Sequence, residues 1–138
     1  MSGNAPRKFT LGKEERLKSR KLIERVFREG KSFALFPFRV YYAPLPEAIP
    51  GAGEKIFLQA GFGAGTRNFK KAVDRNRIKR LTREAYRLQK HGLQEHLTMK
   101  GRALAVFFIY VGKELPDQGL VSSKIGLALE KLITETGS

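Results

Sequence analysis

Residues 102–111 read R-A-L-A-V-F-F-I-Y-V, a run without a charge after its first position. A half-buried strand alternates apolar and polar side chains, so an unbroken run of this kind belongs to a central strand covered on both faces. Apolar partners must therefore lie over that strand, and two other segments offer them. Residues 16–30 carry Leu22, Ile23, Val26 and Phe27 at helical spacing, with Ser19 as N-cap and Gly30 where a C′ glycine belongs. Near the C-terminus, Asp117 or Ser122 opens a helix whose buried stripe is Ile125, Leu129, Leu132 and Ile133.

Residues 32–43 switch to a period of two, with Phe38, Val40 and Tyr42 on one side and Arg39 and Tyr41 on the other. Pro37 puts the start of this strand at an edge or a bulge. Prolines and glycines crowd residues 44–54 and predict a loop, and 55–64 predict a second strand with a short third strand near Ala64. Residues 92–101 read as a polar connection. The resulting order, helix, strand, strand, short strand, helix, strand, helix, is an α+β domain of two layers, a mixed sheet and its helices. A chain of 138 residues with 41% hydrophobic content suits one domain. We assign residues 1–13, polar and basic with Gly3, Pro6 and Gly12, to a loose arm, and 14–138 to the single domain.

The helix before the apolar run spans 70–87, K-K-A-V-D-R-N-R-I-K-R-L-T-R-E-A-Y-R. With Asp74 as N-cap, Ile78, Leu81, Ala85 and Leu88 fall on one face, while Asn76, Lys79, Arg80, Arg83 and Arg87 gather on the other. Nothing acidic interrupts residues 75–83, so their cations repel each other unless a polyanion answers them. A solvated helix face usually mixes both signs, and this one offers only Asp74 and Glu84 against many cations, most of them the Arg that grips phosphate bidentately. Asn76 can donate to a sugar or a base. The polar side of residues 16–30 is also cationic, through Arg20, Lys21, Arg25 and Arg28.

A formal net charge of +14 makes the surface attractive to nucleic acid. Zero cysteines exclude a disulfide scaffold, a Cys-type zinc finger and a thiol nucleophile. No apolar run approaches the length of a membrane span, so we expect a cytoplasmic nucleic-acid-binding protein with no membrane partner. Arg39 and Tyr41 could hold a phosphate and stack a base, although on residue type alone Tyr41 reads first as a half-buried strand residue. Gly61, Gly63 and Gly65 match neither a P-loop nor a dinucleotide fingerprint, and either allow close backbone approach or mark strand irregularity. His91 and His96 lack acidic or cysteine partners at ligand spacing and read as exposed turn residues. No catalytic constellation and no metal cluster emerges, so the residues describe a binder.

The run 72–81, A-V-D-R-N-R-I-K-R-L, continuing to Arg83 and Glu84, resembles the signature of the protein subunit of bacterial ribonuclease P. Arg16-Leu17-Lys18, Val26-Phe27, Gly30-Lys31-Ser32 and 38–41 are similar to that family's opening helix and first strand. The resemblance implies an α+β sandwich like the second domain of a small-subunit ribosomal protein, with a left-handed βαβ crossover where general rules favour a right-handed one. It implies a protein that joins a catalytic RNA one to one, binds precursor tRNA and promotes removal of its 5′ leader. Hydrolysis would rest on the RNA and its Mg²⁺ ions, with no catalytic residue and no tightly bound metal in the protein. Arg67, Lys71, Arg75, Asn76, Arg77, Lys79, Arg80 and Arg83 would contact the catalytic RNA. Ile23, Phe27, Phe38, Arg39 and Tyr41 would hold the single-stranded leader. Two departures stand out: Ile23 replaces the Phe of many members, and of the basic pair before the helix only Arg67 is plainly retained in G-T-R-N-F-K-K-A-V.

Overall fold

A computed structural model describes residues 11–50 and 55–137. Its elements are α1 (Arg20–Glu29), β1 (Lys31–Leu35), β2 (Phe38–Leu45), β3 (Ile49–Pro50), β4 (Lys55–Ile56), β5 (Leu58–Ala64), α2 (Ala72–Gln89), α3 (His91–Lys100), β6 (Ala103–Tyr110) and α4 (Gln118–Glu135). The apolar run is indeed the inner strand: the sheet order is β1-β2-β6-β5, with β6 antiparallel to β2 and parallel to β5. The parallel pair is joined through α2 and α3, which makes the βαβ unit of a mixed sheet.

One face of the sheet carries the main core. Phe38, Val40 and Tyr42 of β2 and Leu104, Val106 and Phe108 of β6 meet Ile78 and Tyr86 of α2 and Ile125, Leu129 and Leu132 of α4. Each such side chain, fully buried, contributes about 1.5–3 kcal/mol relative to exposure. Among the described residues the other face is covered at one end, where α1 packs Val26 near Ala43 and Ala105, with Leu22, Ile23, Tyr41 and Phe107 around them. The sequence places α1 well: Ser19 Oγ accepts from the Leu22 amide at 3.3 Å, and the helix stops at Gly30. Gly30 has φ −78°, so it is not a left-handed cap. A β-carbon there would come within 2.6 Å of the Tyr42 carbonyl oxygen and closer still to that of Val26.

Several sequence expectations change. The strand expected over 32–43 is a hairpin: β1 runs antiparallel to β2 with Leu35 opposite Phe38, and Phe36-Pro37 forms the turn. The same alternation continues on either side of the proline, which made two strands look like one. Residues 92–101, expected as a connection, fall in α3 up to Lys100, because Leu93 and Leu97 are one turn apart and both bury. Gly101 ends it at φ +63°, a conformation glycine adopts without strain. β2 extends through Pro44 and Leu45 into the predicted loop, and Ala64 ends β5 instead of starting another strand. The tip of the predicted loop, residues 51–54, lies outside the described residues, as does most of the N-terminal arm, residues 1–10. Leu11, assigned to that arm, packs against the core, and Lys13–Glu15 forms a 3-10 turn. Beyond it the Leu17 amide donates to the Ala60 carbonyl at 2.9 Å, covering the outer edge of β5.

Candidate nucleic-acid interface

The basic helix begins earlier than Asp74. Lys71 is its N-cap, and Asp74 sits in the first turn, where a carboxylate complements the helix dipole. Arg75 Nη1 donates to the carbonyls of Phe69 and Lys70, each at 2.8 Å, and so ties the incoming loop to the helix. Arg75 is therefore engaged by the chain's own backbone and is less available to a ligand than its neighbours. The buried stripe is also rotated: Ile78, Thr82, Ala85 and Tyr86 are buried, Leu81 is half-buried, and Leu88 is 52% exposed. The cause is Tyr86, whose ring lies 5.5 Å from Phe62 and 5.8 Å from Phe108. An aromatic side chain has more area to bury than a leucine, and the helix turns to bury it.

That rotation leaves Asn76, Arg77 and Arg80 exposed and Lys79 and Arg83 half-buried, with exposed Arg67 and Lys71 in the preceding loop. Among the described residues no side-chain hydrogen bond or ion pair engages Arg77, Arg80 or Arg83. Beside this ridge opens a groove of about 460 Å³ lined by Leu11, Arg16, Arg80, Arg83, Glu84 and Arg87. Arg80, Arg83 and Arg87 follow from helical spacing, but Arg16 is brought there only because its segment lies along β5. Four guanidinium groups facing one carboxylate favour an anion of several charges. On α1 the cations are partly answered, since Arg28 and Arg25 lie 3.2 and 3.8 Å from Glu29.

The second surface is the sheet face that α1 leaves partly open. By register, Arg39, Tyr41 and Ala43 of β2 stand beside Ile109, Phe107 and Ala105 of β6, and these beside Gly63, Gly61 and Gln59 of β5. Phe27, 39% exposed at the edge of α1, stands edge-on to Tyr41 at 4.7 Å and to Phe107 at 5.2 Å between centroids. Ile23, on the same helix, is half-buried in this cluster. Arg39 is exposed, and its Nη1 donates to Ser32 Oγ at 3.4 Å, on the residue paired with Tyr41. A cation is thus held next to a shelf of aromatic rings.

Phe38 does not belong to this surface. It is 1% exposed and points into the main core, edge-on to Tyr110 at 5.4 Å, because a strand sends neighbouring side chains to opposite faces. Phe107 takes its place, and an uninterrupted apolar run offered no alternation to reveal which of its aromatics faces outward. The glycines of β5 are also explained. A β-carbon at Gly61 would fall 2.6 Å from Phe107 Cδ2, and one at Gly63 3.0 Å from its Cε1, so both clear space for that ring. Gly61→Ala is therefore expected to cost about 1–3 kcal/mol in a urea melt through overpacking, and Phe107→Leu in the same chain to recover most of it. A loss that Phe107→Leu leaves untouched would place the strain elsewhere.

His91 and His96 are half-buried residues of α3, not exposed turn residues. Among the described residues no group of three or more His, Cys, Asp or Glu could hold a metal ion, and no helix is long and apolar enough to cross a membrane. The arrangement can grip phosphates and stack bases.

Residues 11–114 match the family model for ribonuclease P. The chain is 39% identical over 113 residues to a ribonuclease P protein component of Porphyromonas gingivalis, covering 82% of this chain and 79% of that one. It is 29% identical over 130 residues to the corresponding component of Chlorobium phaeobacteroides, covering 89% and 88%. Among solved structures, the RNase P protein of Staphylococcus aureus superposes with a TM-score of 0.65 at 21% identity, covering 87% of this chain and 96% of that one. The RNase P protein of Thermotoga maritima gives 0.64 at 24%, covering 85% and 96%.

Proposed function

The chain belongs to the ribonuclease P protein family, and from that premise we propose that it works in the cytoplasm as the RNA-gripping subunit of a ribozyme that trims the 5′ leader from precursor tRNA. One observation carries this reading: Arg77 and Arg80, exposed on α2 and unpaired among the described residues, and a half-open aromatic shelf beneath α1 occur in the same small domain. The first surface suits a folded RNA, the second a single strand.

In this reading Arg77, Arg80 and Arg83, with Asn76, Lys79, Arg67, Lys71 and the groove residues Arg16 and Arg87, neutralise phosphates of the catalytic RNA in a one-to-one complex. Arg75 acts mainly by holding the loop 65–71 against α2, which sets where Arg67 and Lys71 stand. Phe27, Tyr41 and Phe107 support leader bases, Ile23 adds an aliphatic contact, and Arg39 takes a phosphate. Mg²⁺ held by the RNA would supply the activation of water. This chain's residues bind and orient the leader, which concentrates the scissile bond where the RNA acts.

The test is a cleavage assay with the protein alone, its cognate RNA alone, and both. We expect no cleavage from the protein, and from the pair a lower requirement for magnesium and for substrate than the RNA shows. Cleavage by the isolated protein, or an RNA indifferent to it at modest magnesium, would refute the proposal. Within the holoenzyme, Tyr41→Ala should weaken binding of precursor relative to mature tRNA by about 1–3 kcal/mol, the usual worth of one stacked base. Equal losses for both would remove the leader from this face.

A further inference from the structure

The sheet end beyond Arg39 carries an aromatic side chain that neither surface uses. Phe36, in the turn between β1 and β2, is 72% exposed, almost twice as much as Phe27. Its mounting is firm. Pro37 is buried, its carbonyl accepts from the Val111 amide at 2.7 Å, and Asn68 Nδ2 donates to the carbonyls of Val111 and Gly112 at 3.4 and 3.3 Å. Three separate segments therefore meet at this turn, and two bring cations: Arg67 precedes Asn68 and Lys113 follows Gly112, both exposed. Arg39, three residues along the chain, carries the charge on toward Tyr41.

A large ring left in water on a fixed turn, bordered by cations, has the composition of a sequence-tolerant platform for single-stranded nucleic acid, where a base stacks and its phosphates are held from the side. From Phe38 to Tyr41 the extended strand covers about 10 Å, and Phe36 lies beyond its start in the turn, so the two rings are separate sites along an extended strand of RNA. We propose that Phe36 is a second base-stacking platform, receiving a leader nucleotide other than the one at Tyr41, with Lys113 on a flanking phosphate. The proposal rests on the leader groove described above and extends it to the turn.

The experiment uses reconstituted holoenzyme and precursor tRNAs with a short leader, too short to pass Tyr41, or a long one. Phe36→Ala should lower affinity for the long-leader precursor on the order of tenfold, as loss of one stacked base implies, and leave the short-leader precursor unchanged, while Phe36→Tyr should bind like the parent. The chain contains no tryptophan, so Phe36→Trp supplies a single reporter whose emission should be quenched by the long leader and not by the short one. No loss with Phe36→Ala, or the same loss for both leaders, overturns the proposal. Self-association of the parent protein that disappears in Phe36→Ala would assign the ring to a second copy of this chain and equally overturn it. If Tyr41→Ala weakens binding of precursor more than of mature tRNA while Phe36→Ala affects both leader lengths alike, the groove stands and only this extension fails.

Discussion

Reversing two charges at once, Arg77→Glu with Arg80→Glu, is expected to lower affinity for the catalytic RNA on the order of 10²-fold at moderate salt and to reduce the slope of log K against log salt by about 2. Both side chains are exposed, and neither belongs to the buried stripe of α2. A urea melt should therefore be unchanged, which separates lost binding from lost folding. The effect should be large because the two arginines have no acidic partner among the described residues: their replacement removes attraction and introduces repulsion toward a polyanion. The neutral pair Arg77→Gln with Arg80→Gln should fall between. Wild-type affinity in the reversed variant would show that the ridge does not face RNA at all.

The second large effect concerns stability. Lys90, where α2 passes into α3, is 1% exposed, and its ammonium lies 2.6 Å from Glu15 Oε1. The same carboxylate accepts from Gln94 Nε2 at 2.8 Å and from the Gly12 amide at 2.9 Å. It thereby ties the N-terminal segment to the helices. Its charge also bears on Tyr86, whose phenol is pushed well above its ordinary pKa, first by complete burial and then by Glu15. Glu15→Ala takes the carboxylate away from a buried ammonium and from two further donors, and should cost about 3 kcal/mol in chemical unfolding, the low end for breaking a buried pair. Replacing both partners by apolar residues, Glu15→Leu with Lys90→Met, should restore much of that loss. Because Arg16 adjoins Glu15, the single variant should also weaken RNA binding through the groove. A Glu15→Ala protein within about 0.5 kcal/mol of the parent would mean that the ammonium is held by other groups.

α1, α2, α4 and the inner strand were legible from apolar patterning because each depends on residues close in sequence. Ser19 and Asp117 cap α1 and α4 as their positions suggested, each accepting from an amide in the first turn. α3 was missed because its polar surface outweighed a two-residue apolar stripe, Leu93 and Leu97, that means little without a sheet to cover. The start and rotation of α2 escaped notice for a similar reason: Arg75 holds a loop, and Tyr86 buries against Phe62 and Phe108, contacts no helical wheel contains. Phe38 joins the leader groove by family likeness alone, while its alternation with Arg39 puts it on the other face.

What the sequence determined by itself was the chemistry of the surfaces, because charge, aromatic content and helical spacing are local properties: a cationic helix and a strand presenting Arg39 and Tyr41. Which residues join them was decided only by tertiary structure. Phe107 lies beside Tyr41, Gly61 clears room for its ring, and Arg16 crosses to Arg80 and Arg83. Each of these neighbours comes from strand register or edge pairing between segments far apart in the chain, and such hydrogen bonds leave no mark on either segment alone.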